Sequence, residues 1–159
     1  MSQTATVQRS EFGEKLYEGL QALPSSRRFT AEQLEVIYAL AYAQVTQGKY
    51  AEALPVFSIL STYGPTRKHY MMGLALCLQM CARYEEAVRI YSAVGTLFPE
   101  GPEASLGVAE CLLALGLTAD AVQELELALR YTAEAGGYPE ARKRAQALLE
   151  LTRREAVTG

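Results

Sequence analysis

Histidine occurs once in this chain of 159 residues, cysteine three times, and no apolar run is long enough to span a bilayer. Each scarcity excludes something. With His69 as the sole histidine, a histidine-based triad has one candidate, and no serine sits in a nucleophile elbow or a glycine-rich phosphate loop. An enzyme is therefore not expected, and no residue is assigned a catalytic role. The longest apolar stretch, 71–78, falls far short of the roughly 20 residues a spanning helix needs. The first ten residues are polar and lack the apolar segment of a secretory signal. The cytoplasm is the expected compartment, with no contact to membrane. Three cysteines, an odd number, fit reduced thiols better than a disulfide framework.

Charge of one sign is also lacking. Fifteen basic and 18 acidic side chains leave a net charge of -3, so nothing favours direct binding of nucleic acid, which needs clustered Lys and Arg. The one basic concentration is Arg142, Lys143, Arg144, Arg153 and Arg154. Glu140, Glu150 and Glu155 interrupt it, and it reads as a solvated helix face.

What the chain has is a period. Half of it is hydrophobic and 21% charged, the balance of one ordinary folded domain. Leu40-Ala41 recurs as Leu74-Ala75 and Val108-Ala109; Ala53 recurs as Ala87 and Ala121; Phe57 recurs as Tyr91 and Leu125. Gly48, Ala82 and Gly116 share one phase, Pro65 and Pro99 another, and Cys77 and Cys111 a third. Every step is 34 residues. A 34-residue period with Ala in both halves and Pro near the end is the tetratricopeptide pattern, a pair of antiparallel helices.

The expected fold is all-α: three tetratricopeptide repeats at 34–67, 68–101 and 102–135, stacked as a short right-handed solenoid. Small residues such as Ala41 and Ala53 let paired helices approach, while Leu40, Phe57, Leu74 and Tyr91 fill the space between neighbours. Thr30-Ala31-Glu32-Gln33 reads as a capping box that starts the first repeat helix. Pro55 falls early in the second helix, tolerable within the first turn and otherwise a kink. Ahead of the repeats, 7–23 carries Phe12, Leu16, Leu20 and Leu23 at amphipathic spacing. Behind them, 139–157 reads as a helix that covers the last repeat, as solenoids require. The domain division is thus 1–29, a polar tail with an amphipathic helix, and 30–159, the repeat domain.

First helices of stacked hairpins line the concave side, so positions 2, 5, 9 and 12 of each repeat are expected to face a groove. They give Glu35, Tyr38, Tyr42 and Val45, then His69, Met72, Leu76 and Gln79, then Glu103, Leu106, Glu110 and Leu113. Tyrosine, methionine and leucine on a concave face suit capture of an extended peptide with apolar anchors. Terminal segments folded into the groove, or a phase shifted by one, would make these residues core instead. Cys77, Cys81 and Cys111 read as packing, since two of them hold equivalent repeat positions. No metal ligand set and no cofactor is expected.

Tyr38-Ala39-Leu40-Ala41-Tyr42 with Gly48, Gly73-Leu74-Ala75 with Gln79 and Tyr84, Ala87 with Tyr91, and Ala109-Glu110-Cys111 with Leu113, Leu115 and Gly116 carry a further resemblance. Over 31–151 the chain resembles the class II chaperones of bacterial type III secretion systems, the low-calcium-response protein H type. The resemblance implies a cytoplasmic, ATP-independent chaperone whose groove holds an extended segment of a translocator protein, keeping it soluble and competent for secretion. It also implies a homodimer formed through the N-terminal helix, by Phe12, Leu16, Leu20 and Leu23. One departure is the turn Ser61-Thr62-Tyr63-Gly64-Pro65, where family members often carry an acidic residue. A generic repeat adaptor, a needle-subunit co-chaperone and a transcriptional co-regulator acting through a partner would use the same groove.

Overall fold

The computed structural model describes residues 8–159. Among them eight α-helices follow in order: α1 Glu11–Ala22, α2 Ala31–Thr46, α3 Tyr50–Tyr63, α4 Lys68–Met80, α5 Tyr84–Leu97, α6 Glu103–Ala114, α7 Thr118–Ala135 and α8 Pro139–Thr158. A 3-10 turn, Pro24–Arg27, joins α1 to α2. The N-terminal helix expected from Val7 begins at Glu11; Val7 and the tail before it lie outside the described residues.

Local chemistry sets the boundaries. Ser10 caps α1 by accepting the Gly13 amide at 3.0 Å. The capping box at α2 is complete: the Gln33 amide donates to Thr30 Oγ1 at 3.2 Å and the Thr30 amide to Gln33 Oε1 at 2.9 Å. The chain leaves α2, α4 and α6 through left-handed residues one period apart, Gly48, Ala82 and Gly116, with φ of 74°, 60° and 77°. Alanine at the middle position pays about 1 kcal/mol that glycine would not. Pro55 lies inside α3, beyond its first turn, on the exposed side, where the helix carbonyl that loses its amide partner can bond to water.

Each helix packs on the next in sequence, from α2 to α8, so the core is a series of clusters and not one centre. Leu34, Phe57, Leu60 and Tyr70 form the first, Tyr91, Val108 and Cys111 belong to the second, and Leu125, Ala128 and Leu149 to the third. Ala41, Ala53, Ala75, Ala87, Ala109 and Ala121 are all 0% exposed, which is the close helix approach that their recurrence predicts. A second recurrence couples neighbouring hairpins. A Cβ on Gly73 would lie 2.1 Å from the Phe57 ring, and one on Gly107 would lie 2.6 Å from the Tyr91 ring. At the third junction the aromatic becomes Leu125, and the residue one period after Gly107 becomes Ala141, in the same cluster. Volume lost on one helix is regained on the other.

Leu40 departs from expectation. It is 58% exposed, with Val36 at 74%, because α2 opens the array and no earlier hairpin covers that face. One period on, Leu74 is half-buried; one more, Val108 is buried.

The N-terminal helix also departs. α1 folds back on α5, where Leu16, Tyr17 and Leu20 join a cluster built on Met71, Val94 and Leu97. The Arg9 guanidinium donates to the Leu97 carbonyl and lies 3.9 Å over the Tyr17 ring. Gly13 passes so close that a Cβ there would sit 2.6 Å from the Thr96 carbonyl oxygen. Leu16 and Leu20, expected at a dimer contact, are therefore engaged within their own chain. Phe12 and Leu23, at 69% and 44%, stay exposed.

Candidate functional site

The direction of curvature follows from which helices meet. Among the described residues α2 touches α4, α4 touches α6 and α6 touches α8, whereas α3, α5 and α7 do not touch one another. Helices on the inside of a bend approach most closely, so the even-numbered helices line the concave side.

On that side the first helices supply a strip of half-covered apolar and aromatic groups. Tyr42 is 55% exposed; Tyr38, Val45, Met72, Leu76 and Leu113 are half-buried. Tyr38 meets the His69 ring edge-on with centroids 4.7 Å apart, and lies 6.0 Å from Tyr42. Val45 and Tyr38 rest on the first core cluster, Met72 on the second, so the strip is anchored from beneath.

Polar links tie each concave helix to the next. Glu35 on α2 meets His69 Nε2 of α4 at 2.7 Å and accepts from the buried Tyr70 hydroxyl at 2.7 Å. These bonds, Tyr70 first and His69 second, hold the Glu35 carboxyl below its ordinary value of 4.5. Burial, then the bond to Glu35, pushes the Tyr70 hydroxyl well above the usual phenol range, so it remains a donor. From α4 to α6, Gln79 Nε2 donates to Glu110 Oε2 at 2.9 Å, and the Tyr91 hydroxyl donates to Gln79 Oε1 at 2.8 Å. From α6 to α8, Arg144 Nε meets Glu110 Oε1 at 2.5 Å.

Eleven of the twelve groove positions read from the sequence are partly or fully open on these helices. Leu106 is the exception: at 8% exposure it packs with Ala145 and Leu149 of α8. The physical reason is that α8 lies beside α6 as the first helix of a further repeat would, covering the side chain that the period alone leaves open. Arg144 is exposed, as the solvated-face reading has it, but that reading did not anticipate its pairing with Glu110. The signal was available, since Glu110 and Arg144 are one period apart and opposite in charge, as Glu35 and His69 are one period apart. The buried thiols of Cys77 and Cys111 are packed in the cores, as their shared phase predicts. No group of three or more His, Cys, Asp or Glu among the described residues could hold a metal. No helix of the described residues is long and apolar enough to cross a membrane.

Comparison with known proteins agrees with this architecture. Family models described as tetratricopeptide repeat match residues 38–79 and 82–149. No curated protein matches the sequence significantly. Among solved structures, the chain is similar to the type III secretion translocator chaperone SycD of Yersinia enterocolitica, at 31% identity over 77% of this chain and 91% of that one, with a TM-score of 0.73. It is similar, at 29% identity over 82% and 99% and a TM-score of 0.75, to SycD in complex with a peptide of the translocator YopD. PcrH in complex with the chaperone binding region of PopD matches at 28% over 82% and 98%, with a TM-score of 0.77. With the stacked hairpins and open concave strip already in place, the identity to SycD over nearly all of that chain shows that this chain belongs to the family of class II type III secretion translocator chaperones, built on tetratricopeptide repeats.

Proposed function

We propose that the chain is a chaperone that holds an extended, apolar-anchored segment of a type III secretion translocator in its concave groove. The observation that carries this reading is the strip of half-exposed Tyr42, Leu76 and Leu113 held on a rigid, polar-linked floor. Apolar surface kept open in a concavity is what an extended peptide with alternating anchors requires. SycD bound to a YopD peptide and PcrH bound to the binding region of PopD lend it support. Occupying the groove shields apolar translocator segments from aggregation and from the wrong membrane, keeping the cargo soluble and competent for secretion in the bacterial cytoplasm. No nucleotide hydrolysis enters this reading; release follows from competition at the secretion apparatus. Tyr38, Val45, His69, Met72, Gln79 and Glu110 complete the binding surface, while Leu106 supports its wall. Of Phe12, Leu16, Leu20 and Leu23, which would contribute to a homodimer, Phe12 and Leu23 are the most exposed and Leu16 and Leu20 are partly covered by α5.

Co-expression with a translocator, followed by affinity purification, tests the reading. Tyr42→Glu and Leu76→Glu each lose the co-purifying translocator while far-UV circular dichroism and melting stay near wild type. Full retention of cargo by both variants, or loss of folding equal to loss of cargo, would overturn it.

A further inference from the structure

Away from the groove strip, at the edge where α2 and α4 begin, lies a recess of about 350 Å³. Arg27 of the 3-10 turn and Arg67, which precedes α4, stand on its rim, with Ser26 and Thr66 beside them. Phe29 and Tyr63 form part of its wall, their rings packed edge to face with centroids 4.9 Å apart. No acidic side chain lines it, and among the described residues neither arginine forms a direct ion pair; the nearest compensation is Glu35, which Arg67 feels across the recess edge without touching it. Two guanidinium groups that line one recess with no carboxylate between them raise the potential there, and an anion placed in it is favoured. The turn Thr62-Tyr63-Gly64-Pro65 contributes Tyr63, Gly64 and Pro65 to the lining and carries no charged side chain.

We infer that this recess is a second docking point, which takes an acidic side chain of a partner polypeptide between Arg27 and Arg67. Guanidinium groups bind carboxylates through paired N–H donors, and the aromatic wall accepts the methylenes of a glutamate. The start of α4, where no side chain caps the helix, adds favourable potential for an anion at the same corner. The site does not depend on the apolar strip, since none of the groove residues named above lines it.

The test is selection of phage-displayed 12-residue peptides against the wild-type chain, Arg27→Gln/Arg67→Gln and Arg27→Lys/Arg67→Lys. Wild type is expected to enrich peptides with Asp or Glu at one fixed position, and the glutamine pair to lose that preference. A selected peptide measured by fluorescence anisotropy should bind the glutamine pair about tenfold or more weakly, with the lysine pair in between. The same preference should survive in Leu76→Glu, which separates this site from the groove. Should the glutamine pair misfold by circular dichroism, exposed Arg27→Gln alone serves as the variant. Absence of acidic enrichment, or enrichment equal on wild type and the glutamine variants, overturns the inference. So does a melting temperature that rises with inorganic phosphate in wild type only while acidic peptides gain nothing, since the recess would then serve a free anion.

Discussion

Adding one methyl group at Gly73 should destabilise the chain, and removing the Phe57 ring should cancel the harm. A Cβ at Gly73 would stand 2.1 Å from the nearest ring carbon, inside any real contact distance, and Phe57 is only 2% exposed, so the ring has little room to yield. Alanine in mid-helix gains about 1 kcal/mol over glycine. Overpacking a rigid core costs up to about 3 kcal/mol, which leaves a net loss of about 2 kcal/mol for Gly73→Ala. For a chain of this size that lowers the melting temperature by about 4–8 °C. Phe57→Leu alone removes part of a buried ring and costs about 1.5 kcal/mol, less than the 3–5 of full truncation to alanine. The double variant recreates the leucine and alanine pairing found at Leu125 and Ala141, so it should be no less stable than Phe57→Leu, giving a coupling energy of about 2 kcal/mol. Urea unfolding followed by far-UV circular dichroism measures all four corners of the cycle. Gly19, which has nothing within 4 Å of a built Cβ, is the control: Gly19→Ala should leave stability unchanged or raise it by up to about 1 kcal/mol. Additivity of the two substitutions within about 0.5 kcal/mol would refute the argument that the glycine exists to admit the ring.

Two further outcomes follow from the ionisable groups. Because hydrogen bonds from Tyr70 and His69 hold the Glu35 carboxyl below 4.5, the stability it adds is complete above that pH and drains away as pH falls through the lower folded-state value. Urea midpoints measured across the acid range should fall less steeply below pH 4.5 in Glu35→Gln than in wild type, and identical acid limbs would remove Glu35 from the account. Burial pushes the thiols of Cys77 and Cys111 up to about 11, while Cys81 is only partly covered. Titration with Ellman's reagent near neutral pH should therefore find one fast thiol in the native chain, abolished by Cys81→Ser, and the other two only on unfolding.

How far the sequence discloses these features depends on whether the period carries the information. The alanines at crossings, the capping box and the cysteine positions repeat or have local chemistry, so they are legible from letters alone. End effects are not. Leu40 holds the same phase as Val108, yet one faces water and the other a neighbour, because a period says nothing of which repeat is first. Leu106 is hidden by Ala145 and Leu149 of α8, and a period read over three repeats says nothing of whether a further helix takes the next place. The spacing of Leu16 and Leu20 announces an apolar face without naming the surface it meets, and that surface is α5. Arg144 was read by composition, as one charge among several, where its distance in sequence from Glu110 held the answer.

The back-folded first helix has a consequence for the order in which the molecule is made. Every other helix settles on a neighbour that has just been synthesised, but Arg9 must wait for Leu97, 88 positions later. On the ribosome, α1 emerges before the repeats but closes only when α5 is complete, after a loop spanning the first two hairpins has been ordered and with α6, α7 and α8 still to come. Until then Leu16 and Leu20 stand bare on the leading part of the chain, far from the end that is growing, and nascent molecules that meet on one polysome do so with that face uncovered.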